Sequence, residues 1–312
     1  MNAEKPVEPP VVTLGVPVFN SAPYLASSLD SVLAQTFDRF EIVISDNGSS
    51  DETEQICRRY AAMDRRIRYF RHEVNRGAAW NHNFLIMQAR GRYFRWHHYD
   101  DLCEPHHLDR CVAALDANPA AVLAYPRTTL IDAAGHVTAL YDDRLALNED
   151  APHARLRHLL EKVYLCNPVL GLLRLEALRR TGLHGAYVAA DHVLLAELAM
   201  QGPWVEIPEA LFFRRFHAAK STEVNRTNRD RAAWFDPRLR KGMFFWPNLR
   251  LFTERLKAVG RAQIGLGEKL LCAWVVIVWQ SGFAARLFRE RWSRRCARLV
   301  EWLGLGEKVG KG

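Results

Sequence analysis

Strand-like and helix-like segments alternate along the first hundred residues, and this alternation constrains the fold more than any other feature of the sequence. Each repeat begins with a β-branched or aromatic run, passes through a polar turn and continues with apolar residues at helical spacing. The four predicted strands are VVTLGVPVF, FEIVIS, IRYFRH and RYFRWHHY. Such alternation predicts an α/β fold with a mixed, mostly parallel sheet, whose first half is Rossmann-like.

Turn residues predict where the first helices begin. Ser21 suits an N-cap, with Pro23 in the first turn of the helix. Ser49 and Glu52 have the spacing of a capping box, which predicts a second helix starting near Asp51. Farther along, the pattern predicts a helix over EPHHLDRCVAALDANP, a hairpin turning near a glycine in AAGHV, and a pair of strands in WVEIPEALFFRRF.

The pattern divides the chain into three parts. Residues 1–10 are polar and proline-rich and are predicted to be disordered. Residues 11–230 form the α/β domain, with residues 11–118 as its first half and residues 119–230 as its second. Residues 231–312 are rich in Arg and Trp at helical spacing, and they are predicted to form a basic helical extension.

The composition indicates a globular protein and excludes a disordered or fibrous one. Hydrophobic residues make up 49% of the chain and charged residues 25%, which is typical of a globular protein with a filled core. The six cysteines form no CxxC pair, so we expect reduced thiols in a cytoplasmic protein. No signal peptide is predicted, and the longest uncharged stretch is sixteen residues, shorter than the ~20 that a membrane span needs.

Polar residues follow three of the predicted strands. Asp46 follows the second strand, Asn75 to Gly77 follow the third, and Asp100 with Asp101 follow the fourth. In open parallel sheets ligands lie beyond the carboxyl ends of the strands, so these residues are expected to converge on one crevice. Two adjacent carboxylates at such a position require a cation, a donor or water to compensate their charge.

These motifs, taken as an ordered set, resemble those of the inverting glycosyltransferases of family 2, which have the GT-A fold. The set consists of VPVFN, SDNGSSD, NRG and a DD pair followed by proline four residues later, and the resemblance covers about residues 11–225. It implies transfer of a sugar from a nucleotide-sugar donor, with a UDP-sugar favoured, to a hydroxyl of a glycan or lipid-linked acceptor. It also implies a divalent cofactor, Mn²⁺ or Mg²⁺.

The resemblance assigns residues to the donor. Asp46 matches the carboxylate that contacts the nucleoside, although a turn formed with Asn47 is an alternative explanation for it. Arg76 matches a donor to a pyrimidine carbonyl or a phosphate, and Arg215 with His217 match groups that approach the diphosphate. The full donor-side set is Pro17, Val18, Phe19, Asn20, Asp46, Asn75, Arg76, Gly77, Asp100, Arg215 and His217.

The resemblance also assigns the metal site. Asp100, Asp101 and His217 match metal-binding positions, where a cation neutralises the charge that develops on a leaving diphosphate. The chain departs from the family at His98, which stands where the first Asp of the DxD element is common, and an imidazole there favours Mn²⁺.

Asp191 matches the catalytic base. Inversion requires a base opposite the leaving group, to accept the proton of the attacking hydroxyl. The family usually has Glu before this Asp, whereas this chain has Ala190. An N-cap role for Asp191 is the structural alternative.

The C-terminal extension leaves two alternatives open. Residues 231–312 carry 17 Lys and Arg against 6 Asp and Glu. Residues 269–302 are consistent either with an amphipathic helix on an anionic membrane, at the inner face, or with packing on the catalytic domain or on a second subunit of a homodimer. Two rival functions remain: a non-catalytic scaffold with this fold, and a nucleic-acid-binding protein, which the acidic crevice disfavours.

Overall fold

The computed structural model describes residues 9–218, 224, 227–235, 237 and 247–282. The strands are β1 (Val12–Val18), β2 (Phe40–Asp46), β3 (Ile67–Arg71), β4 (Tyr93–Trp96), β5 (Leu102–Cys103), β6 (Leu123–Ile131), β7 (Val137–Tyr141), β8 (Leu172–Arg174) and β9 (Trp204–Arg215). The helices are α1 (Ala22–Leu33), α2 (Thr53–Met63), α3 (Ala78–Gln88), α4 (His107–Ala117), α5 (Pro152–Lys162), α6 (Leu175–Arg179), α7 (Ala190–Gln201), α8 (Asn228–Phe235), α9 (Pro247–Arg261) and α10 (residues 266–282), with a 3₁₀ turn at Asn167–Leu170.

The strands of the described residues form one mixed sheet in the order β3-β2-β1-β4-β8-β6-β9-β5, with β7 paired to β6. The strands β3, β2, β1 and β4 are mutually parallel, and β8 then runs antiparallel to both β4 and β6. Parallel pairing resumes between β6 and β9. The predicted α/β fold with a Rossmann-like first half is therefore confirmed.

Helices cover both faces of the first half of the sheet. All seven residues of β1 and all seven of β2 are buried, as expected for parallel strands covered on both sides. Leu14 and Ile42 pack in a cluster with α1 and α2, whereas Val43 belongs to the cluster on the opposite face that includes α3. A side chain at Gly15 would meet the Phe94 ring at 2.7 Å, so only glycine allows this close packing.

Two strand predictions are wrong, one in where the strand ends and the other in the number of strands. The fourth strand ends at Trp96, because the following residues leave the ladder for the polar loop described below. The segment predicted as a strand pair is the single strand β9. It stays continuous because Pro208 and Glu209, which have the composition of a turn, are accommodated as a bulge between residues 207 and 210 opposite β6.

The predicted capping box of α2 is also wrong. Ser49 accepts a hydrogen bond from the Asn20 backbone N–H at 3.0 Å, so its hydroxyl joins two loops instead of capping the helix. Asp51 instead accepts a hydrogen bond from the start of the helix, since its Oδ1 lies 3.0 Å from the Thr53 backbone nitrogen, which donates. Ser21 precedes α1 as predicted, but its hydroxyl accepts from Phe19 at 3.1 Å and not from the helix.

The described helices after residue 246 contribute to the buried core that includes α7. Ala258 and Val259 of α9 and Cys272 and Val276 of α10 belong to the same buried cluster as Leu194 of α7. None of the helices in the described ranges is long and apolar enough to cross a bilayer. The N-terminal residues 1–8 and most of the Arg-rich segment, from residue 283 onward, lie outside the described residues, and the predictions for them stay predictions.

Candidate active site

The carboxyl ends of the parallel strands bring the predicted donor residues to one edge of the sheet. Val18 pairs with Asp46 at the ends of β1 and β2, and β4 lies on the other side of β1. Pro17 and Val18 are buried within β1, whereas Phe19 and Asn20, which follow them in the predicted donor-side set, are exposed. Asn20 has a left-handed backbone (φ 50°), and its Oδ1 accepts the Ser50 N–H at 2.9 Å.

Asp46 is fully buried and its carboxylate is engaged within the protein. Oδ1 accepts the N–H of Ser49 at 2.9 Å, and Oδ2 accepts the hydroxyl of Tyr69 at 2.8 Å. Burial raises the pKa of Tyr69, and the hydrogen bond to Asp46 raises it further, so Tyr69 remains a donor. The hydrogen bond to Ser49 is the turn contact that was the alternative explanation for Asp46. The nucleoside role of Asp46 stays a prediction.

Asn47 positions the predicted loop of Asn75, Arg76 and Gly77. Its Oδ1 accepts the Arg76 N–H at 3.0 Å, while its Nδ2 donates to Asn75 Oδ1 at 2.9 Å and to the Gly77 carbonyl at 3.2 Å. Gly77 has φ 89°, which glycine adopts without strain. The Arg76 guanidinium lies 4.6 Å from the centre of the Trp80 ring. Sequence reasoning treated Asn47 only as a turn residue and missed this role.

Asp100 and Asp101 are both buried and are held by the end of β9. Asp101 Oδ1 accepts the backbone N–H of Arg215 at 3.0 Å, and Arg215 Nε donates to the Asp100 carbonyl at 2.9 Å. Arg215 Nη1 also donates to the carbonyls of Asp132 and Ala133, at 3.2 Å each. The structure therefore places Arg215 beside the carboxylate pair, where its guanidinium donates hydrogen bonds to backbone carbonyls.

His217 and His98 lie beside the two carboxylates, and these four residues, His98, Asp100, Asp101 and His217, are called the carboxylate cluster below. His217 Nε2 lies 3.0 Å from Asp100 Oδ2, and His98 Nδ1 lies 3.8 Å from Asp101 Oδ2. The ligand atoms of His98, Asp100 and Asp101 lie within 4.8 Å of one another. Two carboxylates and an imidazole so close together fit a divalent cation such as Mn²⁺ or Mg²⁺.

A buried polar chain fixes the loop that carries the cluster. Arg95 Nη1 donates to His97 Nδ1 at 3.0 Å, and His97 Nε2 lies 2.8 Å from the Ser28 hydroxyl, which donates to the His98 carbonyl at 3.0 Å. Burial, and then the charge of Arg95, holds the pKa of His97 well below its ordinary value. His97 is consequently neutral and can accept from Arg95 on one side while donating to Ser28 on the other.

Asp191 lies in the first turn of α7, where it is half-buried. The helix begins after Ala189, which has a left-handed backbone (φ 61°), and no side chain caps it. Asp191 Oδ1 accepts the N–H of His192 at 3.0 Å. Burial raises the pKa of the Cys166 thiol, and the adjacent Asp191 carboxylate raises it further. Asp191 is therefore not an N-cap, and the capping alternative is excluded.

A row of three imidazoles runs from His98 through His82 to His184. The ring centres of His98 and His82 are 5.6 Å apart, and those of His82 and His184 are 5.0 Å apart. Burial and the next imidazole in the row lower the pKa of His82 to about 3 and that of His184 to about 3, and the Asp191 carboxylate opposes the shift at His184. This row runs from the paired carboxylates toward Asp191, and its His82 and His184 rings are neutral. Sequence reasoning missed both His82 and His184.

Asn83, the next residue on α3, holds the segment that precedes Asp191. Its Nδ2 donates to the His184 carbonyl at 2.9 Å, and its Oδ1 accepts the His184 N–H at 3.0 Å. This reciprocal pair fixes the backbone between α6 and α7.

Part of this chain is similar in sequence to known glycosyltransferases. A family model described as Glycosyl transferase family 2 matches residues 13–181, more than half of the chain. An uncharacterized glycosyltransferase of Rickettsia felis is 38% identical over 109 residues, which cover 34% of this chain and 17% of the relative. The putative glycosyltransferase EpsH of Bacillus subtilis is 36% identical over 104 residues, covering 33% of this chain and 30% of EpsH. The matches span 17% to 39% of the length of the first four curated relatives.

Solved structures share the fold at low sequence identity. S. aureus TarS 1–349 in complex with UDP superimposes with a TM-score of 0.58 at 16% identity, over 85% of this chain and 70% of that one. The mannosyltransferase PcManGT from Pyrobaculum calidifontis, in complex with GDP-Man and Mn²⁺, gives a TM-score of 0.51 at 18% identity, over 95% of this chain and 84% of that one. These likenesses establish the GT-A fold. Because the family model also covers more than half of the sequence, the chain belongs to glycosyltransferase family 2.

Proposed function

We propose that this protein transfers a hexosyl group, with inversion, from a nucleotide-sugar donor to a hydroxyl of a glycan or lipid-linked acceptor. One observation carries the proposal: Asp100 and Asp101 meet His98 and His217 in the loop after β4, and a further carboxylate, Asp191, lies near His184 at the far end of the imidazole row. Inverting transfer requires these two functions, one for the leaving group and one for the attacking hydroxyl.

The donor is proposed to bind along the carboxyl ends of β1, β2 and β4. Exposed Phe19 offers an apolar surface to the base, and Arg76, held by Asn47 and lying on Trp80, offers a donor to the base or a phosphate. UDP is the favoured nucleotide, because TarS was solved in complex with UDP and with UDP-GlcNAc. The complex of PcManGT with GDP-Man makes GDP the nucleotide to compare.

The carboxylate cluster is proposed to hold a divalent cation. When bound, the cation would neutralise the charge that develops on the leaving diphosphate. Asp100 and Asp101 would hold it through carboxylate oxygens, and Arg215 keeps both residues in place through its backbone N–H and its Nε. His217, the third residue that the resemblance assigns to the metal, is proposed to orient the Asp100 carboxylate through the 3.0 Å contact with Oδ2 instead of binding the cation.

Asp191 is proposed to accept the proton of the acceptor hydroxyl as that oxygen attacks the anomeric carbon. Its Oδ1 is held by the His192 N–H, and the surrounding residues include buried Cys166 and neutral His184. Neither Cys166 nor His184 is positively charged, so neither forms an ion pair with the carboxylate.

Nucleotide binding provides the direct test. Thermal unfolding of the protein should be measured with UDP, GDP or dTDP, each with Mn²⁺, Mg²⁺ or a chelator. We expect UDP with Mn²⁺ to stabilise the protein most, by about 2.7 kcal/mol when UDP is present at ~100 times its dissociation constant. Absence of any nucleotide-dependent shift, or an equal shift when the metal is chelated, would contradict the proposal.

An anionic membrane is the proposed surface for α10. The apolar residues Leu266, Leu270, Trp274 and Val278 recur every fourth position and are 50% to 74% exposed, while Cys272 on the opposite side is buried. Six arginines follow in the sequence between residues 286 and 298, outside the described residues. An exposed apolar stripe on α10, in a chain whose next residues are rich in arginine, suits the headgroup region of an anionic bilayer, where a lipid-linked acceptor would be available.

Sedimentation with vesicles tests this contact. We expect the protein to sediment with vesicles containing phosphatidylglycerol more than with phosphatidylcholine alone, and Leu270→Ser with Trp274→Ser to weaken that binding by about tenfold or more. Val137→Ser, at an exposed apolar residue of β7, is the matched control and should not change it. Equal binding by the double variant and the wild type would refute the assignment.

A further inference from the structure

His98 occupies a distinctive position in the carboxylate cluster. It stands where the family commonly has the first Asp of its DxD element, and its Nδ1 lies 3.8 Å from Asp101 Oδ2. The ligand atoms of His98, Asp100 and Asp101 form one group, all within 4.8 Å of each other. To bind a cation here, His98 must present the lone pair of one of its two ring nitrogens to this group.

The hydrogen bonds of His82 determine which nitrogen of His98 carries the proton. His82 Nδ1 lies 2.8 Å from the Ala78 carbonyl, and a carbonyl oxygen can only accept, so Nδ1 carries the proton. With Nδ1 donating to Ala78, Nε2 is the ring nitrogen of His82 that is left to accept a hydrogen bond. That atom lies 3.4 Å from His98 Nε2, which must then be the donor.

The tautomer of His98 follows from this contact. When Nε2 donates its proton to His82, the lone pair of the His98 ring lies on Nδ1, the nitrogen that faces Asp101. We propose that His98 is a ligand of the divalent cation through Nδ1, and that His82 is a positioning residue that selects the ligating tautomer and the ring orientation. This inference rests on the proposed function, because it requires the cation site.

Other contacts limit how far the His98 ring can move. The His98 carbonyl accepts a hydrogen bond from Ser28 at 3.0 Å, and Ser28 is itself held by the Arg95–His97 chain. The backbone is thus fixed on one side and the ring on the other, by two independent sets of hydrogen bonds. A ligand held in this way loses little conformational freedom on binding the cation.

The donor set has a consequence for metal preference. Replacing a carboxylate by an imidazole adds a nitrogen ligand to a hard oxygen site. Nitrogen ligands favour Mn²⁺ and Co²⁺ over Mg²⁺, so the ratio of Mn²⁺ to Mg²⁺ affinity should be higher here than in a site of carboxylates alone. His98→Asp is therefore expected to lower the Mn²⁺ affinity relative to that for Mg²⁺.

Electron spin echo envelope modulation of bound Mn²⁺, measured with UDP present, tests the ligand directly. We expect the wild type to show coupling to imidazole ¹⁴N, His98→Asp to lose it, and His217→Gln to keep it. Absence of the coupling in the wild type, or its survival in His98→Asp, would overturn the assignment. UDP binding with Mg²⁺ in His98→Asp reports on the donor site separately, and its loss would count against the proposed function instead.

Metal affinity tests the role of His82. His82→Phe keeps an aromatic ring but removes the acceptor for His98, so the Mn²⁺ affinity measured by titration calorimetry should fall by about 10- to 100-fold, with a smaller loss for Mg²⁺. His184→Phe is the matched control, since His184 belongs to the same row but makes no hydrogen bond to His98 in the described residues. No loss in His82→Phe, or the same loss in both variants, would contradict the positioning role.

Discussion

Replacing Asp191 by Asn is expected to lower kcat by about 10²- to 10⁴-fold while UDP binding is retained. The amide has nearly the shape of the carboxylate but cannot accept the proton of the acceptor hydroxyl. Because Asp191 lies in the first turn of α7 without capping it, the substitution should lower the free energy of unfolding by no more than about 1 kcal/mol. Steady-state transfer to a hydroxyl acceptor, combined with UDP titration, separates the chemical step from donor binding.

Asp109→Asn is the control for this experiment. Asp109 is also an acidic residue in the first turn of a helix, α4, but its partner is the hydroxyl of Thr36. Its replacement should not affect transfer. Full activity of Asp191→Asn would assign the base to another group, and a wild type that binds UDP but transfers and hydrolyses no nucleotide sugar would favour the non-catalytic scaffold.

Replacing Asp100 by Asn is expected to abolish the metal-dependent part of donor binding and to lower kcat/KM by about 10²- to 10³-fold, corresponding to several kcal/mol of charge stabilisation. The Asn side chain can still accept a hydrogen bond from His217, so the loop after β4 should keep its conformation. The measurement is the dependence of UDP affinity and of transfer on Mn²⁺ concentration. A variant with unchanged Mn²⁺ dependence would show that Asp100 is not a ligand.

Asp100→Glu provides a matched comparison, because it keeps the carboxylate but extends the side chain by one methylene. Asp100 is 5% exposed, so the longer side chain has little room. We expect Mn²⁺ dependence to return in part, with transfer still below that of the wild type. Recovery by Asn but not by Glu would indicate that shape, and not charge, matters at this position.

The parallel half of the sheet could be predicted from local patterns. β1 and β2 are short buried runs followed by turn residues, and parallel pairing alone brings Asp46 and the loop after β4 to one edge. Boundaries were less predictable. The turn-like Pro208 and Glu209 fit into β9 because the bulge opposite β6 accommodates them, and that pairing joins segments about eighty residues apart.

The interior of the site depends on contacts that the sequence does not display. Asp101 is bonded to the backbone of Arg215, 114 positions away, and Asn83 is bonded to His184, 101 positions away. His82 resembles an ordinary polar residue of a helix until the loop after β4 is placed beside it. The motifs therefore identified the ends of the strands, whereas the imidazole row emerges only from the tertiary fold.

Two consecutive residues of α3 hold different parts of the site, since His82 contacts the loop with the paired carboxylates and Asn83 contacts the backbone before Asp191. In the proposed mechanism, the separation between the leaving group and the base would then depend on one helix and not on two independent loops. A sugar too large for that separation would not be accommodated by moving one side alone. Selection of the donor by size would then be a property of this helix, although none of the family motifs lies on it.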